Sequence, residues 1–224
     1  MLTLIIAEAA LEMIPKSLWR FPSIIKQSKS RGKQPGDMLL DRSYHHFEML
    51  KMEDHTKRGR PDLIHFALLE VTSTPLFMQN HLNVCVHTYD DKVIFLGKSV
   101  RLPKSYFRFE GLMEHLFKDS KIVSNDQCLL EILNMNFKEL LNKIKASYVI
   151  GLSRCGLSSS IESIVNELKN KDRPVLVVGG FPHGHFSENI SGCFKKTYSI
   201  NNQGLASNVV IARIIYEYEK MMEK

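Results

Sequence analysis

The stretch 173-RPVLVVGGFPHGHF-186, followed by 198-YSINNQGLAS-207, decides the fold expected of this chain. Residues 175–178 form an apolar run that is too short for a helix and is typical of a buried strand. A second strand-to-loop transition follows at residues 198–201, and a helix is predicted to begin near Ser207. Glycines after a strand let backbone N–H groups approach a ligand at the edge where open α/β sheets bind ligands. On composition alone, however, two ordinary turns of an α/β domain are the preferred interpretation.

The composition is that of a globular protein with a basic balance. The chain has 224 residues, of which 44% are hydrophobic and 24% are charged, and its net charge is +6. The charge suggests an anionic partner. Because no apolar run approaches about 20 residues, and Glu8 and Glu12 interrupt the N-terminal segment, we expect neither a membrane span nor a signal peptide. The expected location is the cytoplasm. Four cysteines without a CxxC pair argue against a zinc ribbon and a disulfide framework.

Strands and helices alternate from about residue 136, which predicts a largely parallel sheet. We predict a strand at 148–150 that ends at Gly151, and a helix that follows a capping box of Ser159 and Glu162. The N-terminal half adds a buried strand at 2–7.

The rest of the N-terminal half is less regular. We predict a hairpin within residues 83–102, whose turn lies at 89–92. Two glycines and a proline, which interrupt regular secondary structure, indicate a mobile loop or arm in the basic stretch 26–36. A helix that begins at Pro61 has an apolar body over 63–69, so we expect burial on nearly all of its sides.

Two cationic groups stand beside predicted helix starts. Arg60 and Asp62 flank the start at Pro61, close enough for the carboxylate to orient the guanidinium. Arg101, Lys104 and Arg108 cluster around a second start near residue 105. These three cations form a credible phosphate-contact patch, although a solvated charged face is the common alternative.

Several familiar chemistries are not supported. The segment 151-GLSRCG-156 is a near miss for a nucleophile elbow, with Cys155 in place of the final glycine and no triad partners, so we reject a serine hydrolase. The segment GGFPHG lacks the GxGxxG spacing of dinucleotide sites. The pairs His45/His46 and His183/His185 offer too few metal ligands, so we predict packing or solvent-facing histidines and no metal site.

Six segments carry a resemblance to a known family, and they span nearly the whole chain in the family's order. They are LTLIIAEAALEMIP, LLDRSYHH, KRGRPDLIH, VRLPKSYFRFEGLM, VVGGFPHG and SINNQGLAS. On these motifs the chain resembles the SPOUT superfamily, and more narrowly its small-subunit ribosomal RNA pseudouridine N1-methyltransferases. It lacks the long N-terminal extension of eukaryotic members and is therefore similar to the archaeal type.

The resemblance implies an α/β fold with a mostly parallel sheet flanked by helices and a C-terminal trefoil knot. It implies a single domain over residues 1–224, with a small β-hairpin/helix extension inserted at roughly 83–125. It also implies a homodimer that binds S-adenosylmethionine in the knot loops. The cofactor-binding residues carried over are Leu152, Gly179, Gly184, Ile200, Asn201, Asn202, Gln203, Gly204 and Leu205.

By the same resemblance, Arg60, Arg101, Lys104 and Arg108 would contact RNA, with Asp62 positioning Arg60. Family members often have a proline where this chain has Gly204, which would loosen the loop.

The implied reaction is methylation of N1 of a pseudouridine in a single-stranded loop of 16S ribosomal RNA during ribosome biogenesis. Its general base is unassigned; Asp62 is a candidate, although holding Arg60 is its preferred role. Two alternatives stay open. The protein could be a non-catalytic RNA-binding assembly factor, with or without other assembly partners, or a SPOUT enzyme that acts on another RNA position.

Overall fold

Strand β1 (Leu2–Ala9) lies in the interior of the sheet because it is buried along its whole length. Its side chains alternate between two apolar cores. Leu4 and Ile6 pack with residues of the helices on one face, whereas Ile5 and Ala7 pack with residues on the other face. The strand pairs in parallel with one neighbour on each side, so that Leu4 lies opposite Val84 and Leu176. A strand of this kind needs apolar residues on both faces.

The computed structural model of the protein describes residues 1–222, and its eight strands form one mixed sheet. The other strands are β2 (Leu82–Thr88), β3 (Lys92–Leu96), β4 (Lys121–Ser124), β5 (Gln127–Asn134), β6 (Tyr148–Ser158), β7 (Pro174–Gly179) and β8 (Lys196–Ser199). Their order is β4-β5-β3-β2-β1-β7-β6-β8. Pairing is parallel from β2 to β8 and antiparallel from β4 to β2.

Helices cover both faces of the sheet. In chain order they are α1 (Pro22–Arg31), α2 (Arg42–Met49), α3 (Pro61–Thr72), α4 (Pro75–Met78), α5 (Tyr106–Asp119), α6 (Phe137–Lys143), α7 (Ile161–Lys169), α8 (Glu188–Ser191) and α9 (Ser207–Met222). Buried side chains of α3, α5, α7 and α9 belong to the larger core, and those of α6 and α8 to the smaller one on the opposite face. Across residues 1–222, no helix combines the length and the apolar character that a membrane span needs.

The prediction of a mobile arm at residues 26–36 is wrong. Residues up to Arg31 belong to α1, which ends at Gly32 in the left-handed conformation with φ of 62°. Arg31 donates a 2.7 Å hydrogen bond to Glu110, and Lys33 pairs with Glu114. These ion pairs to α5 hold the basic stretch, and the sequence alone could not show them because about 80 residues separate the partners.

The predicted end of a strand at Gly151 is also wrong. Strand β6 continues through Gly151, which pairs with Val177 on one side and Thr197 on the other. The predicted capping box of Ser159 and Glu162 is wrong as well. The following helix is capped by Ser160, whose hydroxyl accepts a hydrogen bond from the Ser163 amide.

Two further features differ from expectation. The hairpin of β4 and β5 was not predicted. The body of α3 is not buried on nearly all sides, since the side chain of Phe66 is 54% exposed.

Candidate functional site

A cleft of about 540 Å³ opens beyond the carboxyl ends of strands β7 and β8 and beside the middle of β6. Its walls come from residues 152–154, from the loop after β7 and from the segment that joins β8 to α9. These walls are adjacent because the three strands run in parallel, and the pairing of β6 with β7 stops at Leu152, where the cleft begins. The position and the volume are those of a small-molecule site in an open α/β sheet.

The predicted cofactor residues come together at this cleft. Eight of the nine line it, and they are Leu152, Gly179, Gly184, Ile200, Asn201, Gln203, Gly204 and Leu205. Asn202 is exposed and does not line the cleft. The lining therefore offers apolar side chains beside glycine backbone, a combination suited to a ligand with a flat apolar ring and polar ends.

Backbone contacts give the cleft its shape. The Ser207 hydroxyl at the start of α9 donates a 2.5 Å hydrogen bond to the Gly179 carbonyl, which ties the third wall to the second. Gly184 adopts φ of 96°, which disfavours any side chain there. A Cβ on Gly180 would lie 2.7 Å from the backbone of Ala9, so the loop can approach β1 only without one.

Tyr198, which sequence reasoning did not select, forms part of the wall at the end of β8. Its hydroxyl donates a 2.8 Å hydrogen bond to Glu167, which also accepts hydrogen bonds from Lys196 and Tyr148. Burial alone would raise the pKa of Glu167, but these hydrogen bonds lower it to about 2. The carboxylate thus stays charged and fixes the tyrosine. No local pattern shows this contact, because it joins separate elements.

Other side chains at the cleft were not selected as site residues either, among them Arg154, Phe181, His185 and Phe186. Arg154 is exposed and has no carboxylate within ion-pair distance among residues 1–222. The rings of Phe181 and Phe186 meet edge to face, 5.5 Å apart. Their signal in the sequence was the aromatic residue on each side of the PHGH segment.

Arg60 borders the same cleft, although sequence reasoning placed it with the RNA-binding residues. Its guanidinium donates hydrogen bonds of 2.8 and 2.7 Å to the two carboxylate oxygens of Asp62. This hydrogen bonding raises the pKa of Arg60, so the group remains a cation. The Arg60 amide also donates to the Ala10 carbonyl at 3.0 Å, directly after β1. A cation therefore stands at the rim of the cleft in a fixed orientation.

The start of α5 lies close to Arg60. The Tyr106 hydroxyl donates to Asp41, and His65 on α3 is 2.7 Å from the Pro103 carbonyl. Burial, followed by the hydrogen bond to Asp41, raises the pKa of Tyr106. The nearby Asp41 and Tyr106 also raise the pKa of Arg60, after the larger effect of Asp62. Sequence reasoning found both cationic groups, but only these contacts bring them to one surface.

The exposed cations at this start are Arg101, Lys104 and Arg108. Within the described part of the chain, none of the three forms an ion pair. Phe107, in the same turn, is 74% exposed. Free cations beside an exposed aromatic ring suit a nucleic acid, since phosphates bind the charges and bases stack on rings.

The histidines behave as predicted for packing and solvent-facing groups. His45 is buried, and its Nδ1 accepts a 3.0 Å hydrogen bond from the Asp41 amide. His183 and His185 are exposed, and His185 lies 3.6 Å from the Cys155 sulfur. Among the residues that the structure describes, no three His, Cys, Asp or Glu side chains are grouped as a metal site requires.

Comparisons with known proteins agree over almost the full chain. The sequence model of the EMG1/NEP1 methyltransferase family matches residues 4–219. The ribosomal RNA small subunit methyltransferase Nep1 of Staphylothermus marinus is 38% identical over 221 residues, which cover 98% of this chain and 96% of that protein. The Nep1 of Pyrococcus furiosus is 37% identical over 218 residues, with 97% and 96% covered.

A solved structure shows the same architecture. Archaeoglobus fulgidus Nep1 bound to S-adenosylhomocysteine matches with a TM-score of 0.88 and 31% identity, and 99% of each chain is covered. This match confirms the predicted fold class of an α/β sheet flanked by helices. The trefoil knot and the domain boundaries stay predictions.

Proposed function

Because the chain belongs to the EMG1/NEP1 methyltransferase family, we propose that it transfers a methyl group from S-adenosylmethionine to N1 of a pseudouridine in small-subunit ribosomal RNA. The observation that carries this proposal is the position of Arg60, a residue expected to bind RNA, at the rim of the cleft expected to hold the methyl donor. Donor and acceptor must meet within contact distance, and this arrangement would bring them to one place.

The cleft suits the donor in size and in chemistry. Leu152, Ile200 and Leu205 offer apolar contacts for an adenine ring, and the backbone next to Gly179 and Gly184 can exchange hydrogen bonds with polar ends. Bound S-adenosylmethionine supplies a methyl group already activated by a sulfonium. The protein then has to orient the two reactants and keep water out, which can contribute much of the acceleration.

The RNA would cross from the start of α5 to the cleft. Arg101, Lys104 and Arg108 would hold phosphates of a single-stranded loop, and Phe107 offers a surface on which an unstacked base can lie. Arg60, held by Asp62, would position the target nucleotide. Since Arg60 engages both oxygens of Asp62, holding the guanidinium remains the better supported role of that carboxylate, and the general base remains unassigned.

The proposed form is a homodimer. A shallow groove between α3 and α9 is lined by Phe66, Leu69, Ala212, Ile215 and Tyr216, with polar residues such as Glu70 and Glu219 among the others, and Tyr216 is 62% exposed. Exposed aromatic and aliphatic side chains with polar residues around them are typical of a subunit interface. Light scattering should give twice the mass of the chain, and Phe66→Glu should give the monomer. A wild-type monomer at micromolar concentration would refute this form.

A binding-only assembly factor is the second candidate, because the cations of α5 would serve it equally well. The two are separated by incubating the purified protein with S-adenosylmethionine and RNA hairpins that carry either uridine or pseudouridine at one position. Nucleoside mass spectrometry should detect methylation of the pseudouridine hairpin alone. Tight RNA binding without transfer would favour the assembly factor, and methylation of uridine would refute the specificity.

The same proposal implies a cytoplasmic protein, since archaeal ribosomes assemble in the cytoplasm, and further assembly partners remain a prediction.

A further inference from the structure

The buried carboxylate of Glu8 sits at an irregular point of β1. The pairing of β1 with β2 is regular from Leu2 to Ile6 and resumes only at Ala9, so the intervening residues form a bulge. Glu8 there adopts φ of 49°, a left-handed conformation that is uncommon for a residue with a side chain. Bulges and strained residues cluster next to functional sites, where they re-aim a side chain.

The Glu8 carboxylate contacts the loop of residues 180–187, which forms one wall of the cleft. Its two oxygens lie 3.1 and 3.3 Å from the Ser187 amide, which donates to them at the far end of that loop. At the near end, Gly180 exchanges backbone hydrogen bonds of 2.8 Å with Ala7 and Ala10. The residues around Glu8 therefore hold both ends of the loop.

Lys57 extends the contact to the middle of the loop. Its ammonium lies 3.3 Å from Glu8 and 5.0 Å from the centre of the Phe181 ring. Its stem runs along Gly184, where a Cβ would lie 3.0 Å from the Lys57 Cε. Lys57 comes three residues before Arg60, so the same ion pair links the loop to the segment that carries the cation at the rim.

We propose that Glu8 and Lys57 form a clasp that positions the 180–187 loop for the methyl donor. Glu8 is on this view a positioning residue, which acts through the loop and does not touch the reactants. The inference rests on the proposed function in so far as the cleft holds the donor. The clasp restricts the loop before the donor arrives, so that binding loses less conformational entropy.

The chain contains a matched control for this clasp. Glu12 is also buried after β1, and it accepts hydrogen bonds of 2.8 and 2.5 Å from Arg58, the neighbour of Lys57. It makes no hydrogen bond or ion pair to the 180–187 loop within the described residues. Glu8→Gln and Glu12→Gln therefore remove equivalent charges, and only the first loosens the cleft wall.

The test measures binding of S-adenosylhomocysteine by calorimetry on the full chain. We expect Glu8→Gln to weaken binding about tenfold, which corresponds to about 1.4 kcal/mol. Glu12→Gln should lower the melting temperature and leave that affinity within twofold. In turnover, Glu8→Gln should raise the KM for the donor about tenfold and change kcat less than twofold. Equal weakening in both variants, or none in Glu8→Gln, would overturn the clasp.

Two further measurements keep the outcome decisive. If Glu8→Gln does not fold, Lys57→Met replaces it, and should likewise weaken binding with Glu12→Gln as the control. Hydrogen exchange of the Ser187 amide without ligand should speed up in Glu8→Gln and not in Glu12→Gln. This readout decides the clasp even if the wild-type chain fails to bind S-adenosylhomocysteine, which would count against the proposed function instead.

Discussion

The Asp62 carboxylate holds the Arg60 guanidinium through two parallel hydrogen bonds of 2.8 and 2.7 Å. The two side chains are about one-third exposed, at 34% and 30%, so the pair contributes little to stability. Its effect is geometric, since a bidentate contact fixes the plane of the guanidinium. The cation is thereby aimed at the rim of the cleft before RNA arrives.

Asp62→Asn should therefore lower activity and leave folding nearly intact. The amide can accept from only one guanidinium nitrogen, and a misplaced contact costs about ten- to a hundredfold in rate. The measurement is kcat/KM for the pseudouridine hairpin, together with S-adenosylhomocysteine affinity, which should not change. The control is Asp172→Asn in the exposed Asp172–Arg173 pair, which lies before the amino end of β7. Unchanged kcat/KM in Asp62→Asn would show that the orientation of Arg60 is irrelevant.

Arg108→Ala and Arg101→Ala should each weaken RNA binding while S-adenosylhomocysteine affinity stays the same. Each removes about one phosphate contact, so the slope of log affinity against log salt should decrease by about one. Fluorescence anisotropy with a labelled hairpin at several salt concentrations measures this. Lys118→Ala, at the other end of α5, is the control. If RNA and donor affinity fell together, the separation of the two sites would be wrong.

Phe107→Ala should weaken binding of a single-stranded loop more than binding of a duplex. Loss of one stacked base costs about 1–3 kcal/mol, whereas a duplex keeps its bases stacked internally. The comparison uses the same anisotropy assay with a hairpin and a blunt duplex. Phe47→Ala removes an exposed ring from α2 and should have little effect, since its 79% exposed side chain has no Lys or Arg within three residues. Equal losses on both RNAs would exclude stacking.

Gly204→Ala should stabilise the protein by about 0.4–1 kcal/mol and preserve donor binding. A Cβ at Gly204 meets no atom within 4 Å, and its backbone does not need the left-handed region. Alanine has fewer backbone conformations than glycine in the unfolded chain, so folding loses less conformational entropy. Gly184→Ala is the contrasting variant and should destabilise, because φ there is 96°. Thermal unfolding with and without S-adenosylhomocysteine gives both quantities; weaker donor binding by Gly204→Ala would show that the loop needs its glycine.

Stability should decrease as the pH falls below about 6.5, partly because of His45. Burial lowers the pKa of His45 from its ordinary 6.5, against the opposing charges of Asp41 and Glu48. The site suits the neutral ring, because Nδ1 accepts a hydrogen bond from the Asp41 amide and Nε2 lies 2.6 Å from the Oε1 atom of Gln27. As the pH falls below 6.5, His45 takes up a proton in the unfolded chain but stays neutral in the folded one. The stability that the neutral ring contributes above pH 6.5 is therefore lost between pH 6.5 and the lower pKa of the folded protein.

The melting temperature between pH 7 and pH 5 measures this effect. His45→Asn keeps an acceptor for the Asp41 amide and should flatten the decline, whereas His46→Asn, at an exposed site, should not. An identical decline in wild type and His45→Asn would assign it to other groups.

Local patterns in the sequence determined most elements of the fold. The apolar run before Gly179, the alternation around β2 and β3, and the proline at the start of α3 each predict an element from the residues of that element alone. The cations at Arg60 and Arg108 were found in the same way. The two failures that changed the course of the chain have one cause, which is contact between distant segments. β6 continues past Gly151 because two strands pair with it there, and α1 is held by carboxylates of α5.

The sequence by itself determined which loops could bind a ligand, since a glycine-bearing turn after a strand is a local property of the chain. The family motifs added the identity of that ligand. Tertiary structure alone decided that Arg60 stands at the cleft and that Glu8 and Lys57 hold its wall. The physical reason is that these contacts depend on the order and direction of strands. The parallel pairing of β1 with β7 brings Glu8 to a loop 179 residues away, a distance that no local pattern spans.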